Sequence, residues 1–414
     1  MVAMKRRTFL TSTAAGAALQ PVAKPAGLKS IRITGVKTVE VRDVLTGRGL
    51  VLPWDPKKIP QDTRDYVITQ VFTDQGIVAT TMDGDYKLPA GIAKEVQQRA
   101  ESYFVGKDPF ELEVHNRDFF QKQRAPVRLF FLEIALWDII GKALQHPLYR
   151  LWGANSSKVK PYAATVHFNK TPEQRTEDAL KFYELGFRAI KLRVHHVEPK
   201  EDLKLVEAVV RAVGGKMDVM VDANQAGKRP GDPPPVWDYR IALDMAKELE
   251  AMGVYWLEEP LNRRSLDDLA RVRSQLKKMH LAGAEGDVGL AAFREILSKG
   301  AFSYIQPDPV VSGPISVVRK IAAMAEAFGV LFGPHHGKSG VGMMASLHMQ
   351  CAAPNTGYLE YMYDPGFWNA EGFQAGFVSP YPVDKSGYVH APDKPGLGIE
   401  WDRGFFRKNG LTFA

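Results

Sequence analysis

The sequence contains a single cysteine, Cys351, in 414 residues. One thiol excludes an intramolecular disulfide framework and any zinc or iron–sulfur site built from several thiolates, because such sites need more than one sulfur. A metal bound by this chain must therefore use oxygen or nitrogen ligands.

Two further features are absent. Beyond the first residues no apolar run is long enough to span a bilayer, and no dense basic run carries interleaved aromatic residues, so a nucleic-acid partner is not expected. The net charge of +7 is modest for this length and suits the attraction of small anions to a cleft. With 45% hydrophobic and 24% charged residues, the composition is that of a soluble globular protein, long enough for an α/β barrel and a smaller domain.

The first 26 residues have the pattern of a secretion signal. Lys5, Arg6 and Arg7 form a charged start, a short run of small and apolar residues follows, and Ala-x-Ala-like sites lie close behind. The adjacent arginines before Thr-Phe-Leu resemble the twin-arginine signal, whose pathway exports folded proteins. We therefore expect a bacterial periplasmic protein, and the alternative is a cytoplasmic protein with a basic start.

Residues 27–158 are predicted to form an α+β capping domain. Residues 31–75 alternate β-branched and polar side chains, which predicts antiparallel strands. A loop at residues 44–60, rich in glycine and proline, interrupts them and is too long for a hairpin turn, so we expect it either to be disordered or to cover a site. Helices are predicted at residues 90–105 and 127–144.

Residues 159–364 show a different pattern, in which short β runs alternate with amphipathic helical stretches. The predicted strands are 162–166, 189–194, 218–221, 254–257, 281–283, 304–306, 330–332 and 358–359. Eight strands separated by seven helices favour the α/β class and a modified (β/α)7β TIM-type barrel behind the capping domain. Residues 365–414 are expected to return to the capping domain.

Carboxylates follow three neighbouring predicted strands: Asp222, Glu258 and Glu285. In such barrels the carboxyl ends of the strands open on one face, where these groups would converge and repel one another. A divalent cation would relieve that repulsion, and hard oxygen ligands favour Mg²⁺ over Zn²⁺. We expect one Mg²⁺ per subunit at these three residues, against the alternative that each acid is separately solvated or salt-bridged.

Basic residues occupy the neighbouring strand ends. Lys191, Arg193 and His195 alternate along the second strand and face one side, where cations suit an anionic substrate. Asp308 and His335 end adjacent strands, so the carboxylate could fix the imidazole tautomer and raise its basicity as a catalytic dyad. His336 and Glu360 also stand at strand ends.

At these residues the chain resembles the enolase superfamily, in its mandelate racemase and muconate-lactonising branch, and the resemblance spans the whole mature chain. The motifs that carry it are Gly186 to Arg193, Val221 to Gln225, Trp256 to Pro260, Ile305 to Asp308 with Ser312 to Ile315, Phe328 to His335, and Ala135 to Lys142 in the helix leading into the barrel.

The resemblance implies a capped barrel, Mg²⁺ on the three acids named above, and removal of the proton α to a substrate carboxylate. Lys191 and Asn224 would complete the electrostatic cradle of that carboxylate, and Glu360 would hydrogen-bond its other oxygen or a neighbouring hydroxyl. His195 and His336 are further candidates for substrate binding. Residues 44–60 would be the specificity lid, and members of the family are often homo-oligomers.

Arg193 departs from the family pattern, in which a second lysine usually serves as a base on this strand. Arginine is hardly ever deprotonated in a protein, so it is a poor base, and proton traffic on both faces of a substrate is disfavoured. A one-sided β-elimination is therefore the leading prediction: His335 takes the α-proton of a sugar acid, an aldonate or aldarate, and water leaves to give a 2-keto-3-deoxy acid.

The proton for the departing hydroxyl could come from His335 in a syn elimination, or from His167, His195 or His336 in an anti elimination. The alternatives to a dehydratase are a racemase, epimerase or cycloisomerase, and a periplasmic sugar-acid binding protein without catalysis.

Overall fold

The structure, a computed structural model, describes residues 30–45, 48, 62–85, 87–124, 128–166, 170–336, 339–366 and 370–413. The predicted signal, nearly all of the predicted lid loop and His167 lie outside the described residues.

The first element of the described residues is an antiparallel sheet. It contains β1 (Ile33–Leu45), β2 (Thr63–Thr73) and β3 (Val78–Asp85), in that order. The central strand β2 is rich in β-branched residues and is buried for most of its length, because helix α1 (Ile92–Phe104) packs on β1 and later helices pack on β3.

A run of helices connects this sheet to the barrel. The helices are α2 (Leu112–Asp118), a 3₁₀ turn (Phe120–Lys122), α3 (Leu132–Ala143) and α4 (Leu148–Leu151). Helix α3 carries apolar residues on nearly every side and is buried almost throughout, because it lies between the sheet and the barrel.

Eight parallel strands form the second sheet. Their bounds are β5 (Pro161–Ala164), β6 (Ala189–Arg193), β7 (Asp218–Asp222), β8 (Trp256–Glu258), β9 (His280–Gly283), β10 (Tyr304–Ile305), β11 (Leu331–Phe332) and β12 (Leu359–Met362). A short strand β4 (Lys158–Val159) precedes them and pairs with β13 (Val389–His390) near the end of the chain.

One helix follows each strand up to the last. These helices are α5 (Pro172–Leu185), α6 (Lys200–Val213), α7 (Tyr239–Met252), α8 (Leu266–Ser274), α9 (Gly289–Lys299), α10 (Ile315–Ala327) and α11 (Gly340–Ala352). Local sequence sets their ends: in α5, Thr171 and Gln174 form a capping box, and Gly186 ends the helix in the left-handed region at φ 114°.

The sheet curls into a barrel. The strand order runs from β11 back to β5 and then to β12, and Phe332 at the β11 edge hydrogen-bonds to Asn355 and Gly357 just before β12, which joins the two edges. The observed pattern of eight strands and seven helices confirms the predicted (β/α)7β fold with an N-terminal capping domain. The predicted strands differ from the observed ones by no more than a few residues at either end.

The last segment contacts the first sheet. It contains α12 (Ala370–Phe373) and α13 (Arg403–Lys408). The Tyr66 hydroxyl on β2 donates to the Gly372 carbonyl at 2.9 Å, and Gln70 on the same strand exchanges two hydrogen bonds with the backbone of Thr412. Across the described residues, the helices are all too short or too polar to cross a membrane.

Candidate active site

The predicted site residues gather at the carboxyl ends of the barrel strands. The register places Arg193, Asp222 and Glu258 side by side at the ends of β6, β7 and β8. Glu285, Asp308 and His335 follow β9, β10 and β11, and Glu360 lies on β12. These side chains come together because every strand of a parallel barrel points its carboxyl end to the same face.

Lys191 lies at the centre of the carboxylates. Its Nζ is 2.9 Å from Glu258 Oε1, 3.4 Å from Glu360 Oε1 and 3.5 Å from Asp222 Oδ2, and the side chain is fully buried. Burial alone would lower the pKa of Lys191, but the charges of Glu258 and Glu360 outweigh it and hold that pKa above its ordinary value. Lys191 is therefore a fixed cation at the floor of the site.

Arg193 is held by three neighbours. Its Nη1 donates to Asp222 Oδ2 at 2.6 Å and to Asn224 Oδ1 at 2.9 Å, while its Nε donates to the Thr165 carbonyl at 3.2 Å. The left-handed backbone of Asn224, at φ 48°, turns this residue back toward Asp222. Asn224 therefore lies beside Arg193 at the second and third strand ends, and its expected role in binding a substrate carboxylate stays a prediction.

The two members of the predicted dyad are in contact. His335 Nδ1 lies 2.7 Å from Asp308 Oδ2, and His335 Nε2 lies 3.4 Å from Glu285 Oε2 and 3.8 Å from Glu360 Oε2. Burial would lower the pKa of His335, but Glu285, Glu360 and Asp308 together raise it to about 10. The Nδ1 contact directs Nε2 toward the interior of the site.

Glu360 and His336 are bonded to each other. The His336 backbone N–H donates to Glu360 Oε2 at 3.1 Å, and the His336 ring Nε2 bonds to the Glu360 carbonyl. This ring is fully buried, which lowers its pKa. His195 stacks on His196 with ring centroids 5.6 Å apart.

The cluster has the donors that Mg²⁺ prefers. When all are ionised, the five carboxylates outnumber the three cations by two charges; the carboxylates are those of Asp222, Glu258, Glu285, Asp308 and Glu360, and the cations are Lys191, Arg193 and His335. Glu258 Oε2 is buried without a hydrogen-bond partner among the described atoms. Burial and the charge of Asp222 raise the pKa of Glu258 to about 7. An unpartnered carboxylate oxygen in a doubly negative cluster fits a divalent cation.

The carboxylate oxygens are not arranged as a complete metal coordination site. Within the described part of the chain no three His, Cys, Asp or Glu side chains are arranged as a ready metal site. The reason is visible in the contacts above, since Asp222 Oδ2 pairs with Arg193 and Glu258 Oε1 pairs with Lys191.

Two polar residues of the cluster were not predicted. Tyr162 on β5 lies beneath Lys191, with Nζ 5.3 Å from the ring centroid. Gln306, after β10, acts on Glu258 and partly offsets the rise in the pKa of that carboxyl group. A tyrosine inside a strand and a glutamine before a proline also occur in ordinary protein cores. Their residue types alone therefore did not mark Tyr162 or Gln306 as part of the site.

Comparisons with known proteins identify the family. Residues 174–405 match the family described as "Enolase C-terminal domain-like", and residues 49–153 match the N-terminal domain of mandelate racemase and muconate lactonizing enzyme. The chain belongs to the enolase superfamily. The predicted family resemblance, drawn from the strand-end motifs, is thereby confirmed, and the chain is an enzyme of this superfamily.

Its relatives in this superfamily are named for reactions of sugar acids. The chain is 29% identical over 279 residues to an arabinonate dehydratase of Saccharolobus solfataricus, which covers 67% of this chain and 70% of the relative. It is 29% identical over 382 residues to a D-galactarolactone cycloisomerase of Agrobacterium fabrum, and this match covers 89% of the present chain and 97% of the relative. Both dehydratases and cycloisomerases therefore occur among its relatives.

Among solved structures, the chain has the fold of an L-talarate/galactarate dehydratase from Salmonella typhimurium. The TM-score is 0.77 at 22% identity, the match covers 95% of this chain and 97% of the other, and that enzyme was crystallised with Mg and L-lyxarohydroxamate. At this identity the likeness concerns the fold.

Proposed function

We propose that this protein is a Mg²⁺-dependent sugar-acid dehydratase that removes the proton α to the carboxylate of an aldonate or aldarate and expels the β-hydroxyl as water. The observation that carries the proposal is an asymmetry: one side of the site has the His335–Asp308 pair, and the other has the cations Lys191 and Arg193.

His335 is the proposed base. Its Nδ1 is held by Asp308 at 2.7 Å, so Nε2 is the nitrogen that can accept a proton from a substrate above the strand ends. In the free protein the surrounding carboxylates keep this imidazole protonated. Asp222, Glu258 and Glu285 would hold the cation, whose positive charge would offset the carboxylates and lower the pKa of His335 toward its ordinary value.

Arg193 is the reason for a one-sided reaction. Its nearest carboxylate and amide oxygens, on Asp222 and Asn224, both accept from its guanidinium. Burial would lower the pKa of Arg193, but Asp222 and Glu258 raise it above its ordinary value, so a neutral guanidine is not accessible. Racemisation needs proton transfer on both faces of the substrate, which this arrangement does not favour.

Asp222, Glu258 and Glu285 would hold the Mg²⁺. When bound, that ion supplies Lewis-acid stabilisation of negative charge developing on the substrate carboxylate. Lys191 stabilises the same charge from the floor of the site, because its ammonium is fixed between Glu258 and Glu360.

In the proposed elimination, the electron pair of the Cα–H bond forms the Cα–Cβ double bond while the Cβ–O bond breaks. The hydroxyl leaves with one proton as water, and the resulting enol tautomerises to the 2-keto-3-deoxy acid. His335 itself can return the proton to the hydroxyl if the elimination is syn. For an anti elimination the candidates remain His167, His195 and His336.

A cycloisomerase is the second candidate, because the match to a relative named for that activity covers 97% of the relative's length. Such a reaction begins with the same proton abstraction but expels or adds a ring oxygen without loss of water. Product mass separates the two reactions, since a dehydratase product is lighter than its substrate by one water and a cycloisomerase product is not. Deuterated water separates an epimerase, which would invert and label Cα without making a keto acid.

The decisive experiment is a screen of the mature protein with Mg²⁺ against a library of aldonates and aldarates, with keto-acid formation as the readout. We expect turnover of at least one member and a loss of about 10³-fold or more in the His335→Asn variant. Asp308→Asn should lose activity too, whereas substitution of the exposed His146 by Asn should not. Turnover of an α-substituted carboxylate without loss of water would contradict the proposal, and so would a fully active His335→Asn variant.

We also propose export to the periplasm by the twin-arginine route, on the basis of Arg6 and Arg7. Cell fractionation with the full chain should find the protein in the periplasm, and the double change of these arginines to lysine should retain it inside the cell. Periplasmic recovery of the double variant would contradict the proposed route.

A further inference from the structure

Ser312 connects two strand ends of the candidate active site. It lies seven residues beyond β10 and is fully buried. Its hydroxyl donates to the backbone carbonyl of Glu285 at 3.0 Å and accepts from the backbone N–H of Asp308 at 3.0 Å. One side chain thus uses its donor and an acceptor lone pair on the residues that follow two neighbouring strands.

The backbone around Ser312 strengthens this connection. Its own N–H donates to the Asp308 carbonyl at 2.8 Å, and its carbonyl accepts from the Gly289 N–H at 2.8 Å, at the start of α9. The Val310 N–H donates to Asp308 Oδ1 at 2.7 Å, which leaves Oδ2 for His335. The Asp308 carboxylate is thereby oriented from one side by this loop and from the other by the imidazole.

The two connected residues have different proposed tasks. Glu285 belongs to the proposed metal ligands and Asp308 to the base, and their side chains meet at His335, whose Nε2 is 3.4 Å from Glu285 Oε2. The distance between metal ligand and base therefore depends on the relative position of the β9 and β10 ends. Hydrogen bonds behind metal ligands commonly set their orientation, and their loss costs about 10–100-fold in affinity or activity.

We propose that Ser312 is a positioning residue that fixes the position of Glu285 relative to the Asp308–His335 pair. The same serine would then determine the geometry of both metal binding and proton abstraction. The inference rests on the proposed function. Alanine at this position leaves the Glu285 carbonyl without its donor and the Asp308 N–H without its acceptor. The Asp308 N–H lies in the buried interior, where the loss of a hydrogen-bond partner is costly.

The test compares Ser312→Ala with Ser346→Ala in the full chain. Ser346, on α11, is an equally buried serine whose hydroxyl has no partner among the described residues, so the same atom is removed without a hydrogen bond. Mn²⁺ affinity, measured by electron paramagnetic resonance, is the first readout, and it needs no substrate. We expect it to fall about tenfold in Ser312→Ala and to stay at the parent value in Ser346→Ala.

Ser312→Thr keeps the hydroxyl and should recover most of the Mn²⁺ affinity, and melting temperatures show that each variant is folded. For a substrate found by screening, kcat of Ser312→Ala should stay depressed at saturating metal, because the base is displaced as well as the metal ligand.

Equal Mn²⁺ affinity in the two alanine variants overturns the role of Ser312 while leaving the proposed function intact. A parent protein that binds Mn²⁺ but turns over no sugar acid, with affinity lost only in Ser312→Ala, overturns the proposed function and retains the positioning role. A parent protein that binds no Mn²⁺ overturns both.

Discussion

Arg193 shows how one residue restricts the chemistry of the site. A lysine at this position would present a rotatable ammonium that can lose its proton, whereas the guanidinium presents a planar set of donors. Here those donors join the Thr165 carbonyl, Asp222 and Asn224 at 2.6–3.2 Å. The side chain is thus a fixed connection between the first three strand ends of the barrel and keeps its charge in every step.

We predict that Arg193→Lys will lower kcat/KM for a substrate found by the screen by about 10–100-fold. The variant keeps the charge, but one ammonium cannot reach all three acceptors with the geometry of the guanidinium. Steady-state kinetics check this, with Arg211→Lys as the control, because Arg211 is an exposed residue that forms an ion pair with Glu207 on its own helix. Unchanged kcat/KM in Arg193→Lys would show that charge alone suffices.

The sequence was informative about single residues wherever a strand ends. Asp222, Glu258 and His335 could be predicted because a strand-end position, a charged type and a regular spacing coincide. The unpartnered oxygen of Glu258 and the two hydrogen bonds of Ser312 could not, since they depend on how neighbouring strand ends and their loops are placed in the folded barrel.

At the scale of elements, the interior helix α11 joins the barrel to the last segment of the chain. His348 on α11 accepts a hydrogen bond from the Tyr149 N–H at the start of α4, and its Nε2 donates to the Leu397 carbonyl. Both ring nitrogens are used in the neutral form, so protonation would remove the acceptor that Tyr149 needs.

This contact predicts a pH-dependent stability. Burial lowers the pKa of His348 to about 4, from an ordinary value of 6.5. Above pH 6.5 the imidazole is neutral in both states, and between pH 6.5 and 4 only the unfolded chain takes the proton, so stability falls with falling pH. From pH 7 to pH 5 this residue should cost about 2 kcal/mol.

Urea unfolding at pH 7 and pH 5 checks the prediction. The loss of unfolding free energy on acidification should be smaller by that amount in His348→Gln than in the parent, and unchanged in His146→Gln, where the side chain is exposed. An identical pH dependence in parent and His348→Gln would refute the assignment.

The contact of α3 with the last segment gives a second prediction for elements. A Cβ on Gly141 would lie 2.5 Å from Gly396 Cα and 2.7 Å from Gly396 N, both backbone atoms. Replacement of glycine by alanine inside a helix ordinarily increases stability by about 1 kcal/mol. Here the last segment of the chain, around Gly396, would have to move away from α3.

We therefore expect Gly141→Ala to lower the melting temperature, with a loss of stability of about 1–3 kcal/mol from overpacking. Calorimetry measures it, and Gly227→Ala, at an exposed position with open space around it, is the control. A stabilised Gly141→Ala protein would mean that the last segment is not fixed on α3 in solution.

The elements themselves were largely predictable from the pattern of the sequence. Parallel strands buried on both faces are short apolar runs, and the helices between them have a clear 3.6-residue period, so the alternation was visible. Exact ends were not, because β10 and β11 are only two residues long and their limits depend on hydrogen bonds to neighbouring strands.

At the scale of the whole molecule, the barrel concentrates negative charge although the chain as a whole is basic. The net charge of the sequence is +7, yet the carboxyl ends of the strands carry a formal excess of two negative charges when their carboxyl groups are ionised. Folding therefore brings like charges together in a buried place, which costs stability until a counter-ion binds.

Mg²⁺ should consequently stabilise the folded protein. A ligand at one hundred times its dissociation constant contributes about 2.7 kcal/mol when it binds only the native state. We expect the melting temperature to rise with added Mg²⁺, to fall again with a chelator, and to respond far less in Glu258→Gln, which removes the buried charge but can keep an acceptor for Lys191. Glu113→Gln, which changes an exposed carboxylate paired with Lys320, should respond as the parent does. Chelated and Mg²⁺-loaded samples that melt at the same temperature would mean that the strand-end carboxylates do not bind the ion.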